Sequence, residues 1–251
     1  MEFAILGPLE ITVAGRRVDL TGDRQRKILG ALLLAVEGRS SIDRLVAAVW
    51  DVYPPSTARK QVQNCVAALR GRLVRAGAPD TLLETRPSGY QLNVRPEDLD
   101  ARVFVGRVSA ARESAAAGRF EEATAHYRSA LGMWRGPVLD DLDSQAVAAS
   151  AAWLTELQLT ASEEFFDLEL ECGRHERIVG DLIKMCAEFP ARERIQGQLM
   201  LALHRSGRQV DAILVYRQLC RHLAEELGVV PSADILRLHD QLIGCSAASR
   251  R

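Results

Sequence analysis

Lys60, Gln63, Asn64 and Ala67 are the side chains in this 251-residue sequence whose types and spacing fit a definite chemistry. An amide can offer a base edge one donor and one acceptor together. A lysine reaches guanine acceptors or a phosphate, and a bare methyl packs against the methyl of thymine. Around them, Thr57, Arg59, Arg70, Arg72 and Arg75 can serve phosphates. From Pro54 to Pro79 there are five basic residues and no acidic one. Ordinary solvated helices mix the two signs to gain pairs four residues apart, so the missing carboxylates point to a polyanionic partner.

The element that must position these groups is a helix. Val62, Cys65, Val66, Leu69 and Leu73 make one apolar stripe, and at 100° per residue Lys60, Asn64, Ala67 and Gly71 face the other way. Gln63 and Ala68 lie beside that outer face, and Ser56 or Thr57 can cap the first turn.

Upstream, residues 3–6, 9–13 and 17–20 read as three short strands. Thr21 is placed to cap a helix with Ile28, Leu29, Leu32, Leu33 and Val36 buried. Ser41 caps a shorter helix with Leu45, Val46, Val49 and Trp50 inward. After the basic helix, residues 82–86 and 89–94 form a hairpin turning at Pro87-Ser88. Strands, three helices and a terminal hairpin make a winged helix-turn-helix, with the third helix bound for the major groove. Arg86, near the hairpin tip, is either a contact to phosphate or minor groove, or an ordinary surface arginine.

Charge divides in the same place. Residues 1–95 hold 14 Lys/Arg against 9 Asp/Glu, and residues 96–251 hold 18 against 24. The proline and acidic shift of residues 94–100 put the domain boundary at 95/96. Beyond it the pattern is helical. Gly118-Arg119, Gly173-Arg174 and Gly207-Arg208 are each followed by apolar residues five and nine positions after the glycine: Ala123 and Tyr127, Ile178 and Leu182, Ala212 and Tyr216. The last two glycines are 34 residues apart, the tetratricopeptide period. Residues 133–142 read as a loop-like insertion, followed by a long helix from about Ala146 to Cys172. The expected fold class is therefore mainly α with a small β component: an N-terminal winged helix, then an all-α tetratricopeptide-like domain.

Other chemistries find no support. The sequence has no GxxxxGK[ST], HExxH or GxSxG. Its five histidines are scattered, and adjacent pairs such as Glu121-Glu122 point in different directions on a helix. No enzyme, cofactor or metal is expected. The five cysteines, at 65, 172, 186, 220 and 245, lack metal spacing and read as reduced, mostly buried thiols. With neither signal peptide nor membrane span in view, a cytoplasmic, nucleoid-associated location is expected.

The sequence resembles the Streptomyces antibiotic regulatory proteins, which join an OmpR-type winged helix to a bacterial transcriptional activation domain. The matching stretches are residues 3–9, 25–34 and 57–64 in the first half. In the second they are 127–137, Gly173-Arg174-His175 and Glu225-Glu226-Leu227-Gly228. The resemblance implies a transcriptional activator of secondary-metabolite genes. Members bind promoter direct repeats as head-to-tail copies and recruit RNA polymerase holoenzyme. It also implies that Asp51, Val52, Tyr53, Pro54 and Pro55 face polymerase. Some members carry extra ATPase or phosphopeptide-binding domains, and this sequence looks like the small form. It departs from the family at Gly71, where a larger residue is usual. Two other readings stay open: a protein-binding adaptor, and a regulator whose second domain senses a ligand.

Overall fold

The computed structural model describes residues 1–248, with side chains through residue 243. Two three-stranded antiparallel sheets open the chain. The first joins β1 (Glu2–Ala4), β2 (Glu10–Val13) and β3 (Arg16–Arg17) in that order. The second has the order β4 (Arg39–Ser41), β6 (Gly89–Leu92), β5 (Leu83–Arg86). Between them lie α1 (Asp23–Leu34), α2 (Ile42–Trp50) and α3 (Ala58–Arg75).

The strand expected over 17–20 shrinks to two residues, and β4 has no counterpart in the sequence reading. β4 exists because β6 offers it a ladder, with Ser40 opposite Tyr90 and Ser41 opposite Gly89. The backbones come so close that a Cβ on Gly89 would lie 2.1 Å from the Ser40 carbonyl oxygen. The hairpin turns at Pro87-Ser88 as expected, pairing Arg86 with Gly89 and Leu83 with Leu92. Ile28, Leu29, Leu32 and Leu33 are buried, whereas Val36 leaves the stripe, because α1 stops at Leu34 and Glu37 turns into the left-handed region at φ 51°. Ser41 caps α2, its hydroxyl accepting from the Arg44 N–H, while Thr21 caps nothing and α1 starts after Gly22.

Two compact units divide the chain, residues 1–159 and 160–251. The first therefore includes α4 (Asp100–Ala116), α5 (Phe120–Leu131) and the opening of α6 (Gln145–Glu171). What ties these helices to the sheets is a turn. Asp100 accepts from the N–H groups of Ile5 (2.8 Å) and Leu6 (3.0 Å), and Asp141 accepts from Leu9 N–H at 3.0 Å and pairs with Arg26. In return Arg135 N–H donates to Leu6 O and Leu139 N–H to Gly7 O. Burial raises the Asp100 carboxyl above its ordinary range, against the pull of its backbone donors and Arg135. Gly7, at φ 142°, lets the turn meet Arg135, whose Cβ would be 2.9 Å from a side chain there. Residues 133–142, read as a loop, are thus half of a joint.

The second unit holds the rest of α6 with α7 (His175–Glu188), α8 (Glu193–Arg205), α9 (Gln209–His222) and α10 (Ala233–Ala248). Its glycines 173 and 207 act as Gly118 does in the first unit. Each has φ of 72–75°, each donates its N–H three residues back, and the arginine after it donates five residues back. All three are the same helix-ending turn, which satisfies two orphan carbonyls. The apolar positions that follow are buried in each case except Tyr216, which packs at the edge of the Leu219, Leu223 and Ile235 cluster. Glu169, fully buried, is matched by Arg174 at 3.0 Å, and Glu163 by Arg192 at 2.7 Å. Cys65, Cys172, Cys186 and Cys220 are free thiols, half-buried rather than enclosed, and Cys245 has its side chain outside the described residues. Burial pushes the Cys186 thiol up to about 12.

Candidate nucleic-acid interface

α3 buries Ala58, Val62, Val66, Leu69 and Leu73 against the first two helices and turns its other face to solvent. Cys65 sits only half-buried at the edge of that stripe. No acidic residue occupies the first turn, and Arg72 and Arg75 occupy the last, where cations favour the helix dipole.

The ten side chains singled out in the sequence fall into two sets. Lys60, Gln63, Asn64, Ala67 and Arg75 are exposed, and the four polar ones make no hydrogen bond or ion pair among the described residues. The other five are engaged. Thr57 does not cap the helix; its hydroxyl accepts from Gln61 Nε2 at 2.8 Å. Arg59 pairs with Asp43, both largely exposed, an arrangement worth little in water. Arg70 donates Nε to Leu83 O at 2.8 Å and Nη2 to Thr85 Oγ1 at 3.0 Å, which fastens α3 to the hairpin. Arg72 donates to Thr21 Oγ1 at 2.9 Å. Arg86 pairs with Glu84 and donates to the buried Gln91 at 2.9 Å.

Two further residues matter here that sequence reasoning passed over. Arg24 stacks over the Trp50 ring, 5.2 Å from its centroid, and donates to Gln61 Oε1 at 2.6 Å. The guanidinium thereby holds the first turn of α3 against α1 and α2. The available signal was that Arg24 is a cation poorly placed for its own helix dipole. Gln61 is half-buried, accepting from Arg24 and donating to Thr57.

The α2–α3 connection splits as well. Asp51, at φ 49°, is half-buried, and its carboxylate accepts from Ala146 N–H at 3.0 Å, which caps the start of α6. Val52, Tyr53, Pro54 and Pro55 are exposed. Among the described residues no helix is long and apolar enough to cross a membrane.

Comparison with known proteins agrees with this arrangement. Residues 99–243 match the family "Bacterial transcriptional activator domain". The transcriptional regulatory protein EmbR of Mycobacterium tuberculosis is 36% identical over 245 residues, covering 97% of this chain and 63% of EmbR. This chain thus spans less than two thirds of that relative. The regulatory protein DnrI of Streptomyces peucetius is 30% identical over 250 residues, with 97% of this chain and 92% of DnrI covered. A solved structure of M. tuberculosis EmbR in complex with a low affinity phosphopeptide superposes with a TM-score of 0.88 at 36% identity, over 97% of this chain and 65% of that one. A matched activator domain over more than half the chain, and a regulator matched nearly end to end, carry one conclusion: the chain belongs to the Streptomyces antibiotic regulatory protein family of bacterial transcriptional regulators.

Proposed function

We propose that this protein is a sequence-specific DNA-binding transcriptional activator, acting on a secondary-metabolite gene cluster. The observation that carries the reading is the outer face of α3. Lys60, Gln63, Asn64 and Arg75 are exposed there with no carboxylate on that face and no partner among the described residues. Side chains left unsatisfied on a rigid helix cost the free protein little, because water solvates them, and they are available to base edges and phosphates. Asn64 and Gln63 would read bases, with Lys60 and Ala67 beside them. Arg75 would take a phosphate directly, while Arg59, Arg70, Arg72 and Arg86 would have to release internal partners to do so.

Residues 1–95 are proposed as the OmpR-type winged-helix domain and 96–251 as the activation domain with tetratricopeptide-like repeats. The three matching helix-ending turns support the repeat assignment. The assignment concerns function. The folding unit extends further, because Asp100, Arg135 and Asp141 lie beyond residue 95. Promoter direct repeats as the target, head-to-tail self-association and contact of Val52-Tyr53-Pro54-Pro55 with RNA polymerase holoenzyme belong to the same proposal.

Selecting bound sequences from random oligonucleotides, then titrating the full chain on the selected site and on scrambled DNA, tests the reading. A true site should be preferred by at least about a thousandfold. Equal binding to both DNAs would remove sequence reading from the protein.

A further inference from the structure

A groove of about 430 Å³ lies within the first unit, away from α3, between the end of α1, the start of α4 and the opening of α6. Its floor is Ile5, Leu33, Leu99 and Leu154, all buried. Its walls are apolar and open: Trp153 is 51% exposed and Val36 86% exposed, with Val105 beside them. Val36 is held outward by the left-handed turn at Glu37, a conformation that strains a residue with a Cβ.

Charge decides what fits. Two ionisable side chains line the groove, Glu37 and Arg102. The Glu37 carboxylate is already paired with Arg39 at 3.4 Å. Among the described residues Arg102 has no carboxylate partner, and its one hydrogen bond goes to Val94 O at 3.3 Å. The cavity therefore presents apolar walls, one open indole face and one uncompensated guanidinium. Sites of this size, mostly apolar with a few convergent polar groups, suit drug-sized organic ligands. A guanidinium prefers a planar oxyanion that can take two parallel N–H bonds. A purely apolar occupant would leave that cation unpaired, and a cationic one would be repelled by it.

We propose that this groove binds an amphipathic organic anion, with a flat aromatic body against Trp153 and an acid group on Arg102. The proposal is independent of the DNA-reading assignment, since it shares no residue with α3. It gives the first unit an input separate from its nucleic-acid face. Ligand bound to the folded form alone would stabilise that unit by mass action.

Fluorescence titration of the full chain with anilinonaphthalene sulfonate, an aromatic anion, and with phenylnaphthylamine, its neutral counterpart, tests this. Both should saturate one site. Arg102→Gln should weaken the sulfonate roughly tenfold and leave the neutral dye within about twofold, the difference being one charge-assisted contact. Arg102→Lys should fall between wild type and Arg102→Gln for the sulfonate, keeping the charge but not the paired N–H bonds, and Trp153→Leu should weaken both dyes several-fold. Thermal unfolding of each variant checks that the fold is intact. Absence of saturable binding, an equal loss of both dyes in Arg102→Gln, or no loss in Trp153→Leu would overturn the proposal.

Discussion

The turn at Ile5–Leu9 and the outer face of α3 stand at opposite extremes of polar satisfaction. At the turn, three backbone N–H groups are met by the carboxylates of Asp100 and Asp141, and three carbonyls are met by the 135–139 segment. On α3, four polar side chains have no partner among the described residues. Charge and polarity alone do not separate these regions, since both are rich in them. Pairing does. A buried donor without a partner destabilises a fold, so the turn is closed; an exposed donor costs nothing until a partner arrives, so the helix face is left open.

The sharpest way to break the comparison is Asp100→Ala. It would orphan the N–H groups of Ile5 and Leu6 and should cost about 2–5 kcal/mol, read from the denaturant midpoint. A loss below about 1 kcal/mol would mean that the turn finds other partners and is not a joint. Asn64→Ala is the complementary experiment. It should leave the unfolding midpoint in place and cost on the order of 1–3 kcal/mol on the selected DNA site, with little loss on random DNA.

A finer cut runs through the arginines. Arg75→Ala should make the salt dependence of DNA binding shallower by roughly one contact, a slope change of about 0.9. Arg70→Ala should leave that slope alone and lower stability by about 1 kcal/mol, because its guanidinium holds the hairpin. If both variants change the slope equally, Arg70 leaves Leu83 and Thr85 when DNA binds. The smallest effect belongs to Gly71→Ala. A Cβ there meets only the Arg75 guanidinium at an ordinary 3.5 Å, so the change should stabilise α3 by up to about 1 kcal/mol. A destabilised variant would show that α3 needs its glycine in the folded chain.

Periodicity and spacing were legible where contacts are local. The buried positions of α3 and the hairpin register followed from the order of residues along the chain, as did the three Gly-Arg turns. Three things did not follow. β4 is Arg39-Ser40-Ser41, with no alternation of apolar residues, and only its ladder to β6 makes it a strand. Val36 continued the α1 stripe on paper, yet the backbone reverses before reaching it. The joint is long-range. Asp100 is 95 residues from Ile5 and Asp141 is 132 from Leu9, and a carboxylate carries no mark of so distant a partner. Arg70 shows the same limit on α3: its type and helix face suited a phosphate, and nothing along the helix announces its partners 13 and 15 residues on.

That long-range joint also sets an order of events in time. Helix pairs such as α4 with α5 close through neighbours in sequence, and local closures of this kind are fast. The turn at Ile5–Leu9 cannot complete its hydrogen bonds until Asp141 exists. On a ribosome delivering the N-terminus first, α3 is made early, yet the unit that carries it is finished only when more than half the chain has emerged. Until then the exposed face of α3 sits on an unfinished unit.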